Sequence, residues 1–141
     1  MIHDRNSKFS AMIGSQSMTN SATVTANLDT AGADYATIVV NLGSEVNTNA
    51  IGPTLSLLED DTTVASNFAT IVADQTAVDI TSAAVVVYGV DLRGKQRYLR
   101  LSVTSETTTN DNVEVAATAI LSRNTEGPAG TTGVGDVVVY V

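Results

Sequence analysis

The chain has 141 residues, a formal net charge of −8, one histidine and no cysteine. Its length is that of a single domain, and the lack of cysteine excludes disulfides, thiolate catalysis and cysteine-based metal sites. The excess of acidic residues argues against direct nucleic-acid binding, which needs Lys and Arg to neutralise phosphates.

Aromatic residues make up only 4% of the chain and Trp is absent, so aliphatic side chains must fill the core. The abundant Val, Ile and Thr have branched β-carbons, which favour strands. The longest apolar run, residues 83–90, is far shorter than the roughly 20 residues of a membrane-spanning helix. The N-terminus lacks a signal peptide's apolar run, because Gly14 and Ser15 interrupt it. We expect a protein made in the cytoplasm, with no membrane partner.

Residues 1–20 mix polar and scattered apolar side chains without helical or strand periodicity. We interpret them as an extended N-terminal arm that orders only against a partner, and residues 21–141 as the domain itself. The apolar side chains that would anchor this arm are Phe9, Met12, Ile13 and Met18.

From Ser21 onward apolar and polar residues alternate with a period of two, which is typical of strands with one solvent-facing side. Residues 64–73 predict a short helical turn that leads into a strand. Residues 84–90 are continuously apolar, which predicts a strand buried on both faces, with Gly89 marking a bulge. The other predicted strands are residues 22–28, 34–42, 54–58, 98–103, 113–121 and 137–141.

About eight short strands separated by turn signals, without a long helical pattern, predict an all-β fold. We expect an antiparallel β-sandwich of the jelly-roll type, preceded by the arm. The apolar C-terminal strand should pair within the sheet or with a neighbouring subunit, because an exposed apolar edge strand promotes aggregation.

The basic residues are unevenly distributed along the chain. No Lys or Arg lies between Phe9 and Leu92, a span rich in Asp and Glu. One hypothesis is a charged docking strip that binds a partner. The alternative is that these bases pair with acidic groups of their own domain. The residues concerned are Arg93, Lys95, Arg97 and Arg100.

No group of residues has the pattern of a catalytic or cofactor-binding site. The one histidine, His3, falls in the arm, where nothing rigid would hold it as a base or a ligand. The acidic run 59–61 lacks the spacing and the glycine of a calcium loop, and the glycine-rich residues 127–135 match no phosphate-binding motif. We therefore expect no catalytic residue, no cofactor, no metal site and no enzymatic activity.

Several short segments together carry a resemblance to a known family. They are Lys8-Phe9-Ser10 with Gln16-Ser17, Asp29-Thr30 through Gly32, Asp34-Tyr35-Ala36-Thr37-Ile38, Leu55 through Thr63, Arg97-Tyr98-Leu99-Arg100-Leu101, and Ala119-Ile120-Leu121-Ser122-Arg123. In these segments the chain resembles a family of small virion proteins of tailed phages and prophages.

The resemblance implies a jelly-roll capsid decoration, or cement, protein on the exterior of the virion. Such a protein binds the major capsid protein of an icosahedral shell, as a homo-oligomer, a dimer or trimer, and stabilises the head. The family supplies no catalytic residues. The capsid contacts that we infer are Phe9, Met12, Ile13, Met18, Arg93, Lys95, Arg97 and Arg100.

Two other functions are compatible with a β-rich, acidic, cysteine-free chain. A phage tail or head-completion protein would share this composition, and only its copy number would separate it from a decoration protein. A carbohydrate-binding β-sandwich is the other alternative, against which the scarcity of aromatic residues argues.

Overall fold

The structure is a computed structural model that describes residues 7–43, 52–76, 83–105, 112–123 and 137–141. Within these residues the helical content is a single 3₁₀ turn, Ala65–Asn67, and the rest of the regular structure is β. The strands are β1 (Ser7–Thr19), β2 (Thr23–Asp29), β3 (Tyr35–Leu42), β4 (Thr54–Asp60), β5 (Ala69–Thr76), β6 (Ala84–Asp91), β7 (Tyr98–Thr104), β8 (Asn112–Ser122) and β9 (Val137–Tyr140).

The eight strands β1 to β8 pair as one long antiparallel hairpin. β1 pairs with β8, β2 with β7, β3 with β6 and β4 with β5. This hairpin winds into two sheets, ordered β1-β8-β3-β6 and β2-β7-β4-β5. The arrangement is that of a jelly roll, so the predicted fold class is confirmed. β9 adds a fifth strand to the first sheet by pairing parallel with β6.

The segment that we predicted to be a separate arm contains β1, an edge strand of the five-stranded sheet. Its pairing with β8 runs from Ser7 opposite Ser122 to Thr19 opposite Asn112. The prediction is therefore wrong for residues 7–19, while residues 1–6 lie outside the described residues. Two register shifts in β1 explain the error, because each bulge breaks the period-two pattern by which a strand is recognised.

The core lies between the sheets and is built from alternate aliphatic residues of both. Ile38 on β3, Leu57 on β4 and Leu101 on β7 have no exposed surface. Full burial of an aliphatic side chain of this size contributes about 1.5–3 kcal/mol relative to leaving it exposed. Aliphatic packing, expected from the scarcity of aromatic residues, therefore holds the two sheets together.

Strand β6 is buried on both faces between Val86 and Val90, as its continuous apolar sequence predicted. Val86, Tyr88 and Val90 point into the core, whereas Val87 is buried on the outer face of the sheet. Gly89 does not mark a bulge, because β3 and β6 pair without a register shift. The bulges lie instead in β1 and in the β4–β5 pairing.

Candidate functional site

One end of the sandwich gathers the turns β2–β3, β4–β5 and β6–β7. The backbone N–H of Thr30 donates to the carbonyl of Arg97 at 3.0 Å, and that of Leu92 donates to the carbonyl of Asp34 at 2.9 Å. These bonds tie the turns together. Most of the described charged side chains lie in these turns or beside them. We call this region, residues 29–34, 59–64 and 91–97, the charged end.

Arg97 pairs with Asp29 of its own domain. The guanidinium donates from Nε to Oδ1 at 3.0 Å and from Nη2 to Oδ2 at 2.7 Å. The guanidinium, helped by the Ala31 backbone N–H, lowers the pKa of Asp29 from 3.8 to about 2. Arg97 also stacks over the Tyr98 ring, with its Cζ 5.0 Å from the ring centroid.

Arg93 is held in the same manner by Asp91. Its Nη2 lies 2.5 Å from Oδ2 of Asp91, and its Nε donates to Oδ1 at 2.9 Å. This bidentate contact lowers the pKa of Asp91 from 3.8 to about 2. The guanidinium also lies over the Tyr35 ring, 5.5 Å from its centroid.

Arg100 lies on the outer side of β7 and makes neutral contacts. Its Nε donates to Oδ1 of Asn27 at 2.8 Å, and its Cζ lies 3.9 Å from the centroid of the Phe68 ring. Lys95 is half-buried in the β6–β7 turn. Arg93 and Arg97 therefore pair with acids of their own domain, as the second hypothesis expected. A docking role for the four basic residues stays a prediction.

The acidic run at the end of β4 connects two turns. Glu59 accepts a hydrogen bond from the backbone N–H of Gln96 at 2.9 Å, and Asp61 accepts one from the backbone N–H of Arg97 at 3.3 Å. The buried Asp60 accepts from the Thr62 hydroxyl at 2.5 Å. These carboxylates accept hydrogen bonds from backbone N–H and hydroxyl groups of the turns. Among the described residues no group of His, Cys, Asp and Glu is arranged to hold a metal ion.

The four residues predicted to anchor the arm differ in how deeply they are buried. Ile13 and Met18 are core residues with 4% and 1% of their surface exposed, so they cannot contact a partner without opening the domain. Met12 is partly buried against the same core. Phe9 is 65% exposed and remains available for a partner. The prediction that all four anchor a partner is therefore wrong for Ile13 and Met18.

Phe9 lies on the outer face of the five-stranded sheet, where rows of uncharged side chains cross the strands. The first row joins Phe9 to Ile120, Thr37 and Gly89, and the second joins Ala11 to Thr118, Val39 and Val87. None of these positions carries a charge. We call this surface the apolar face; its exposed or half-buried residues are Phe9, Ala11, Thr37, Val39, Thr118 and Ile120, and Val87 in the second row is buried.

A cavity of about 300 Å³ opens beside the apolar face, where β1 begins and β8 ends. Lys8 and Arg123 are its cationic lining residues, and Gly32 is also part of its wall. The Arg123 guanidinium donates to the Gly32 carbonyl. Gly32 has a φ of +79°, a left-handed backbone conformation that side chains rarely adopt, so the turn favours glycine there. Among the described residues that line the cavity there is no acid, histidine or cysteine that would provide general acid–base chemistry.

Other sequence features fall outside the part of the chain that the structure describes, including His3 and the glycine-rich residues 127–135. In the described part no helix is long and apolar enough to span a membrane. No protein-family model matches the chain, and a search of curated proteins found no match. The resemblance to small phage virion proteins therefore rests on the residues quoted above.

Proposed function

We propose that this chain is a non-enzymatic decoration protein that binds the outer surface of a tailed-phage capsid shell. The major capsid protein is the proposed partner, and the bound protein stabilises the head. The resemblance to small phage virion proteins motivates this function, and the jelly-roll fold is compatible with it. Catalysis is not part of the proposal.

The observation that carries the proposal is the exposed Phe9 on the apolar face. A well-packed sandwich leaves this large aromatic side chain 65% exposed, beside Ile120 and in a row without charges. Exposed apolar surfaces with polar rims mark protein-binding sites. The apolar face places uncharged side chains side by side on adjacent strands, an arrangement that suits contact with another protein surface.

The charged end supports the same assignment in a different way. Two of its arginines are already paired within the domain, so these groups are neutralised before any partner arrives. An apolar contact on the face would then supply the affinity, while the net charge of −8 favours a solvated outer surface. Many such contacts over a shell act together, because every bound copy stabilises the assembled state by mass action.

The test is to mix purified protein with shells that lack it and to count bound copies by cryo-electron microscopy. Regular occupancy at symmetry-related external sites, in many copies per shell, is expected. Binding of only about a dozen copies would indicate a head-completion or tail protein. The absence of binding to intact shells would contradict the proposal.

Phe9→Ser separates the apolar face from the rest of the surface in that experiment. Burial of a Phe side chain is worth about 1.5–3 kcal/mol, so the variant should bind shells roughly 10- to 100-fold more weakly. Val64→Ser is the matched control, because Val64 is also exposed, at 53%, but lies on the β4–β5 turn. Equal loss in both variants, or no loss in Phe9→Ser, would remove the apolar face from the proposal.

A further inference from the structure

Within the described residues, strand β2 forms an open edge of the four-stranded sheet and pairs only with β7. Its register is continuous from Thr23 opposite Thr104 to Asp29 opposite Tyr98. The edge strands β1 and β5, by contrast, each have two register shifts in their pairing. Bulges, prolines and lysines are the devices that keep edge strands from pairing with other chains. From Thr23 to Leu28, β2 has none of them.

The hydrogen bonds at both ends of β2 show which backbone groups face the open edge. The Ser105 N–H donates to the Ala22 carbonyl at 2.9 Å, and the Thr30 N–H donates to the Arg97 carbonyl at 3.0 Å. In an antiparallel ladder hydrogen-bonded positions alternate, so the even-numbered residues of β2 bond to β7. The N–H and C=O groups of Thr23, Thr25 and Asn27 therefore point away from the sheet.

The occupant that fits this edge is a second copy of this chain, because antiparallel pairing about Thr25 is self-complementary and places no acid opposite another acid. Each copy has a net charge of −8, so two copies repel over most approaches. Residues 20–28 carry no charged side chain. We propose that two copies pair antiparallel through β2, with Thr25 opposite Thr25 of the second copy.

This register satisfies the outward-facing groups of both copies. Thr25 lies on the two-fold axis, and Thr23 lies opposite Asn27 of the second copy. Each of these pairs is of the hydrogen-bonded type, in which both residues exchange N–H···O bonds. Asp29 then lies beside the turn that contains the uncharged Ser21, so no two acids face each other. The four-stranded sheets of the two copies become one continuous sheet.

The side chains of β2 are also compatible with this register of the two copies. Thr25 and its copy form a polar cross-strand pair of the kind that stabilises adjacent strands. Val24 faces Ala26 of the second copy, and both side chains, half-buried in one copy, become more buried. A single strand pair is a small interface, so the expected dissociation constant is about micromolar.

Analytical ultracentrifugation over a concentration series tests the proposal in solution without any shell. The wild type should pass from monomer to dimer. Thr25→Lys places two like charges opposite each other on the axis, so its dissociation constant should rise at least about tenfold. Thr70→Lys is the matched control, since Thr70 is an exposed threonine on the opposite, bulged edge of the sheet. This control should dimerise like the wild type.

Proline variants test which backbone N–H groups of β2 face the open edge and which bond to β7. Thr25→Pro removes an N–H that faces the open edge, a position at which edge strands accept proline, so the protein should fold and stay monomeric. Val24→Pro removes an N–H that bonds to β7 and should lower the melting temperature. Circular dichroism reports whether each variant folds.

Amide hydrogen exchange gives a second measurement on the wild type. The amides of Thr23, Thr25 and Asn27 should gain protection as the concentration rises. A wild type that stays monomeric up to about 1 mM, or a dimer that survives Thr25→Lys, would overturn the proposal. Because no shell is involved, either result leaves the decoration function to its own test.

Discussion

The charged end and the apolar face differ in how completely the domain satisfies their side chains. At the charged end Arg93, Arg97 and Asp60 all have partners within the chain. On the apolar face Phe9 remains 65% exposed although the core behind it is closed. Two of the basic residues, Arg93 and Arg97, therefore serve the turns of their own domain, whereas the apolar surface at Phe9 stays exposed.

The largest expected effect separates two residues that the sequence placed in the same arm. Met18 is buried in the core and Phe9 is exposed, both on β1. Met18→Ala should lower the free energy of unfolding by about 2–5 kcal/mol, because it removes buried methylene groups and leaves a cavity. Phe9→Ala should leave it nearly unchanged. Urea denaturation of both variants measures this.

Similar stabilities for the two variants would mean that β1 is not part of the cooperative fold. The difference in burial between Met18 and Phe9 would then have no effect on stability. Shell binding by Met18→Ala, measured below its unfolding temperature, should be retained, whereas Phe9→Ala should bind shells more weakly, as expected for Phe9→Ser.

A buried polar group without a partner gives a second, smaller effect. The Tyr88 hydroxyl is fully buried and has no hydrogen-bond partner among the described residues, unlike the buried Thr30, which donates to the Arg97 carbonyl at 2.7 Å. Tyr88→Phe removes this desolvated hydroxyl and should raise the free energy of unfolding by about 1 kcal/mol. Tyr98→Phe, on the outer side of β7, is the control and should have little effect.

The same hydroxyl predicts a dependence on alkaline pH. Burial raises the pKa of Tyr88 from 10.0 to about 12. Between these values the unfolded state loses the proton first, so the stability that depends on the neutral hydroxyl falls as the pH rises from about 10 to 12. Tyr88→Phe should lack this part of the loss when urea denaturation is repeated at high pH. A destabilised Tyr88→Phe would reveal a partner for the hydroxyl.

The strands β2 to β4 and β6 to β9 could be predicted from sequence because each keeps a local pattern. The bulged β5 was predicted only as the strand that follows a short helical turn within residues 64–73. β3 buries Ala36, Ile38 and Val40 at alternate positions, and the alternation is visible without knowing its partners. β1 could not be predicted, because its two bulges place Ile13 and Met18, five residues apart, in the same core. A period of two relates only residues an even number apart, so the pattern was hidden.

The candidate site was harder to predict because its contacts join distant parts of the chain. The sequence left open whether Arg97 docks a partner or pairs internally, and its acid, Asp29, is 68 residues away. Phe9 faces Ile120 only after β1 and β8 have paired. One local signal was available: Val39 and Ile120 occupy positions that alternation assigns to solvent, which indicates a sheet with two apolar faces.

The smallest effect concerns the ion pairs of the charged end. The pKa values of Asp29 and Asp91 are lowered from 3.8 to about 2, so below pH 4 the unfolded state binds protons that the folded state does not. Stability is therefore fully present above about pH 4 and is lost as the pH falls towards 2. The double variant Asp29→Asn, Asp91→Asn should have a shallower loss over this range.

Melting temperatures at pH 5, 4, 3 and 2 measure that difference, and the control is Asp34→Asn, an exposed aspartate of the same end. Both pairs are exposed, so 1 M salt should shrink the difference between wild type and double variant. Parallel acid unfolding of the wild type and the double variant would mean that the arginines gain nothing from their own aspartates. Arg93 and Arg97 would then be as available to a partner as Phe9, and the contrast between the two regions would disappear.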